Sequence, residues 1–136
     1  MSGYQADSVI NQVMEAVIEL MNSTNPFAGV TRGALPTGPG ITCEIGPSMV
    51  RSMYMDKNTF IPLDVTINGK HPNMLILSDA LNTIHDALTR MTEYPSGDGW
   101  QITDIKNYTL PQVIGREENN EWLMASALSV EFYWRG

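Results

Sequence analysis

The stretch from Glu121 to Gly136 constrains this chain more than any other. Read with period two, Trp122, Met124, Ser126, Leu128, Val130, Phe132 and Trp134 fall on one side, and Leu123, Ala125, Ala127, Ser129, Glu131, Tyr133 and Arg135 on the other. One side is nearly all large and apolar and the other is small or polar, as a half-buried β-strand requires. At roughly 3.3 Å per residue such a strand runs about 40 Å, well past the usual five or six residues. A strand of that length crosses a whole sheet and projects beyond it, or pairs with a neighbouring subunit. The sequence stops on it, and the pattern points to a part built to assemble more than to a pocket built for chemistry.

Similar alternation appears upstream. Between Thr59 and Lys70, Ile61, Leu63, Val65 and Ile67 oppose Asp64, Thr66 and Asn68. Pro62 cannot donate to a ladder, so it belongs at an edge or near the strand's start. Ile41, Cys43 and Ile45 form a short strand, Met49–Met55 a less regular one, and Trp100–Ile105 another whose alternation slips near Asp104-Ile105, as at a bulge. Residues 5–22 repeat apolar side chains at three- and four-residue steps, with Asp7 or Ser8 as cap and Asn25-Pro26 as terminator. After Pro72, the stripe Leu77, Leu81, Ile84, Leu88, Met91 predicts a second helix. Residues 28–40 and Leu110–Asn120 read as long connections, the first rich in Gly and Pro, the second polar; 94–99 is dense turn chemistry. The fold class that follows is α+β: a mainly antiparallel sheet of about five to six strands with two helices on one face, in a single domain spanning 1–136.

Composition narrows function by exclusion. Fifteen acidic against eight basic residues give a net charge of −7, which argues against a surface that grips nucleic-acid backbones. No apolar run is long enough to span a bilayer, and the single Cys43 rules out an internal disulfide and fits a reducing compartment, so an intracellular protein is expected. Five of the nine methionines, Met14, Met21, Met74, Met91 and Met124, fall at positions that read as core. Of the two histidines, His85 reads as a rim residue of a core helix and His71 as a solvated corner. No CxxC, HExxH, calcium-loop or GxSxG pattern is present, so no metal, cofactor or catalytic set is expected. Asp56, Asp64, Asp98 and Asp104 read as turn and solvated-face residues, and Trp100, Trp122 and Trp134 as packing residues.

Several strings together resemble a family of long-tailed bacteriophages whose genes are often labelled minor capsid protein, with a fold like that of the tail terminator (tail completion) proteins. They are Phe60–Lys70, Leu81–Leu88, Tyr94–Trp100, Gly115-Arg116-Glu117 and Phe132–Gly136. The resemblance covers most of residues 5–136 and is strongest from about residue 59 onward. It implies a virion structural protein, found in the host cytoplasm before assembly. It would form a ring, usually of six subunits, on the head-proximal end of the tail tube. Such a ring stops the major tail protein from polymerising, offers a surface to the head's connector, and lets DNA through its lumen without holding it. Long loops on a rigid sheet are the natural contact elements, which makes Arg32, Leu35 and Arg116 the interface candidates. Two alternatives are a neck or head-completion adaptor on the portal side and a small cytosolic enzyme or ligand-binding protein. The latter would need Asp64, Asp98 and Asp104 to share a deep cleft.

Overall fold

A computed structural model describes the backbone of residues 2–46 and 58–135, with side chains from Val9 to Gly46 and from Pro62 to Trp134. In chain order the elements are α1 (Ser2–Asn22), β1 (Val30–Arg32), β2 (Gly40–Ile45), β3 (Asn58–His71), α2 (Met74–Thr89), β4 (Ser96–Gly97), β5 (Trp100–Arg116) and β6 (Trp122–Arg135). The period-two pattern at the end of the chain is a single strand, and β3 pairs with it antiparallel over its whole length, from Asn58 opposite Arg135 to His71 opposite Trp122. This ribbon is the spine of one sheet with strand order β1-β2-β3-β6-β5-β4. All pairings are antiparallel except β1 with β2, so the sheet is mixed.

The register explains the core. Leu63, Val65 and Ile67 face Val130, Leu128 and Ser126 across the ribbon, and Cys43 and Ile41 extend the same layer through β2. All of these strand positions are buried. Val13, Met14, Val17 and Met21 of α1 and Leu77, Leu81, Ile84 and Leu88 of α2 close over them in one cluster, so both helices cover one face. Burying such side chains contributes about 1.5–3 kcal/mol each before entropy is counted. Gly69, level with Met124, lets α2 sit directly on β3: a Cβ there would meet the Leu77 side chain at 2.6 Å.

Several expectations change. Inside the 28–40 segment, Val30–Arg32 forms a strand, because the Asn22 side chain clasps Val30: its Oδ1 accepts from the Val30 amide at 2.7 Å and its Nδ2 donates to the Val30 carbonyl at 3.3 Å. α1 begins at Ser2, so Asp7 and Ser8 lie within it and neither caps it. It ends at Asn22, where the Ser23 and Thr24 hydroxyls take the Leu20 and Met21 carbonyls and Asn25 turns out with φ 57°. Asn73 caps α2, accepting from the Leu75 and Ile76 amides, and Met91 falls beyond the helix end. Met74 is exposed, not a core position. Leu110–Asn120 is not a connection: β5 runs through Pro111 to Arg116, and the chain reverses only over 117–121. Pro111 is tolerated because the β5–β6 ladder gains an extra residue between Thr109 and Gln112, one of four irregularities along it. The predicted slip near Asp104 is another, between Ile102 and Asp104. Pro62 lies past the end of β2, which stops at Ile45 opposite Val65, so among the described residues that side of β3 is unpaired there. Asp98-Gly99, with Gly99 at φ 85°, is the two-residue turn joining β4 to β5. The Met49–Met55 strand and Asp56 lie outside the described residues.

Candidate assembly surface

β5 outlasts its outer neighbour. β4 pairs only with Trp100 and Gln101, so from Thr103 to Arg116 β5 has β6 on one side and no described strand on the other. Its far half carries Tyr108, Leu110, Val113 and Ile114, all exposed, Ile114 at 61%. The other exposed large apolar side chains of the described residues are Met74, Leu75 and Ile76, in the first turn of α2. Scattered apolar residues on a surface mean little, but adjacent ones concentrated in two segments mark a contact surface. The signal was in the sequence: Met74-Leu75-Ile76-Leu77 puts four apolar residues in one helical turn, of which only some can face inward. Val-Ile at 113–114 was likewise too apolar for a solvated loop.

Two open clefts flank the outer ridge of α2, and Asp79 and Thr83 line both. The first, about 350 Å³, lies against the turn after α1 and is walled by Phe27, Pro26, Ile76 and Ala80, with Asp79 as its only charge. The second, about 420 Å³, lies against β5 and includes Asn82, His85, Asp86, Asn107 and Leu110.

His85 forms the floor of that second cleft and is buried, not a rim residue. Its Nδ1 lies 2.8 Å from Asn107 Oδ1 on β5 and its Nε2 2.8 Å from Ser126 Oγ on β6. The neutral ring suits this site, with Nδ1–H donating to the amide oxygen and the Ser126 hydroxyl donating to Nε2. Burial lowers the His85 pKa from 6.5, with the Asn107 hydrogen bond opposing. The chain Ser126–His85–Asn107 has the connectivity of nucleophile, base and orienting group. Ser126 is nevertheless 3% exposed in the middle of a sheet strand under α2, where no substrate carbonyl reaches its oxygen. The trio acts as a polar latch between α2 and the two strands where the exposed half of β5 begins. Sequence periodicity missed it because helical neighbours do not reveal a partner on another element.

The hairpin end is tied down by charge. Lys70, buried at the end of β3, lies 3.4 Å from Glu117 and 3.9 Å from the buried Glu121, which also accepts from Asn119. Arg116 stacks over the Trp122 ring at 4.6 Å. Trp100 is buried and its indole Nε1–H donates to Gln12 of α1, whereas Trp122 and Trp134 are half-buried against the core. His71 is half-buried, with its ring edge-on to Phe27 and its Nδ1 accepting from the Asn73 amide.

The three interface candidates are not gathered. Arg32 is on the β1 edge, where it donates to Asn11 and pairs with Glu44 at 3.1 Å, so its charge is used within the chain. Leu35 is half-buried in the following loop. Arg116 closes the exposed stretch of β5, with β2, β3 and β6 between it and β1. Asp64 is buried, against expectation, on the face away from the helices; Asp98 is exposed at the β4–β5 turn, and Asp104 lies near Lys106 at 3.8 Å. These three carboxylates line no common cleft among the described residues. Burial pushes the Cys43 thiol up to about 11, which makes it a poor nucleophile. Among the described residues no three His, Cys, Asp or Glu side chains are placed to hold a metal, and no helix is long and apolar enough to cross a membrane.

No protein-family model matches the chain, and no curated protein matches it. Among solved structures it is similar to a chain of the virion of the native gene transfer agent particle, at 13% identity and a TM-score of 0.61. The likeness covers 88% of this chain and 92% of that one, and at this identity it is a likeness of fold.

Proposed function

We propose that this protein is a virion structural component that caps the head-proximal end of a phage tail tube. There it ends tube polymerisation and provides the surface for head joining, as a ring of copies, six in the tail terminator family. The observation that carries the reading is the fold likeness to a virion particle chain over nearly the full length of both. The exposed apolar half of β5 and the first turn of α2 suit a subunit that meets several neighbours. The net charge of −7 suits a ring whose lumen passes DNA without trapping it. Its partners are then further copies of itself, the major tail protein and the head's connector.

The test is electron microscopy of lysates from a phage in which this gene is stopped early. Headless tails of uncontrolled, excessive length establish the terminator. Tails of normal length that fail to join heads refute it and place the protein at the neck. Wild-type particles refute any required role in assembly.

A further inference from the structure

Two surfaces of this chain are complementary and do not meet within one copy. The first is the end of β5, where Val113, Ile114 and Arg116 stand exposed. From Lys106 to Arg116 the sequence has two basic residues and no acidic one, in a chain of net charge −7. The second is the cleft between the turn after α1 and the outer side of α2, with Phe27 and Ile76 as apolar walls and Asp79 as its only charge. Among the described residues neither Asp79 nor Arg116 has an ion-pair partner. The chain's own β5 approaches α2 at Leu110, on the far side of the Asp79–Thr83 ridge, and leaves this cleft open.

We propose that the end of β5 of one copy seats in the Phe27–Ile76–Asp79 cleft of a second copy, with Ile114 between the apolar walls and Arg116 against Asp79. The occupant is a second copy because both halves of the match, apolar and of opposite charge, are carried by one chain. Sheet continuation at the other edge is disfavoured, since Asn22 occupies both backbone groups of Val30 on β1. Each copy offers one of each patch: exchanged reciprocally between two copies they would close as a dimer, whereas repeated head to tail they yield a ring or a filament, and the ring of the proposed function requires the second arrangement. The ring of the proposed function is the assembly it serves, and the inference rests on that reading.

The test uses the full chain carrying both Ile114→Cys and Thr83→Cys, assembled into particles and treated with a short thiol-specific cross-linker. Cys43 is buried and does not compete. A ladder of dimer, trimer and higher species, absent from either single variant, is expected. No cross-linked species on particles that contain the protein would overturn the contact, and dimers alone would overturn its head-to-tail repetition. Charge reversal gives an independent reading. Arg116→Glu should lower incorporation at least about tenfold, and adding Asp79→Arg in the same chain should restore it, which a merely structural defect at Arg116 would not allow. Failure of the swap to rescue counts against the contact. Overgrown tails in the gene's absence without a ladder would sink the contact and leave the terminator reading intact. A ladder with normal tails in the gene's absence would do the reverse.

Discussion

Ser126→Ala removes one atom from the latch that holds α2 to the sheet. The hydroxyl lies 2.8 Å from His85 Nε2, and both residues are buried. Without it the buried ring nitrogen has no described donor, and a buried acceptor left unmet costs about 1–3 kcal/mol. At this chain length each kcal/mol moves the unfolding midpoint by about 3–4 °C, so a fall of roughly 3–12 °C is expected. Thermal unfolding followed by circular dichroism at pH 7.5 reads it directly. Ser129→Ala is the control, since Ser129 is on the other face of β6 and half-buried; it should stay within about 0.5 kcal/mol of wild type. Replacing both partners, His85→Leu with Ser126→Ala, should recover part of the loss, because Asn107 is exposed enough to turn to water. The same latch sets a pH dependence. With the folded pKa of His85 below 6.5, the unfolded chain binds more protons between that pKa and 6.5. The His85 contribution is therefore complete above pH 6.5 and declines as pH falls, by no more than about 1.4 kcal/mol per pH unit. The double variant should lack this component. A Ser126→Ala loss no larger than that of Ser129→Ala would refute the donor–acceptor assignment on which the argument rests.

Gly69→Ala should destabilise by about 1–3 kcal/mol, because the added methyl meets Leu77 at 2.6 Å where α2 rests on β3; urea unfolding at equilibrium checks it, and pairing it with Leu77→Ala should recover part of the loss. Lys70→Ala should cost about 3–5 kcal/mol by leaving the buried Glu121 without its cation, and Lys70→Met with Glu121→Gln should cost clearly less; the two midpoints compared at one pH decide it.

Much of the architecture is written locally. The 3.6-residue stripe through Leu77, Leu81, Ile84 and Leu88 and the alternation through Leu63, Val65 and Ile67 each identify an element and its buried face without reference to the rest of the chain. Such patterns arise because one element presents one face to one core, and a single element suffices to read them. Polar latches fail this test. Ser126 sits among large apolar residues on its face of β6, and only the arrival of His85 from α2 at 2.8 Å explains it. Lys70 is similar, buried on a strand whose neighbours give no hint of the carboxylates that reach it from the 117–121 turn.

The sequence by itself determined the long central ribbon, the two amphipathic helices and the α+β class, since these follow from periodicities that the backbone imposes residue by residue. Only the tertiary structure decided which apolar residues stay uncovered. Leu110, Val113 and Ile114 could have been core had a strand or helix lain over them, and they are surface because β4 ends after two pairs and α2 does not cover them. Exposure is a property of what lies alongside, set by pairings between residues far apart in the chain, and no local period encodes it.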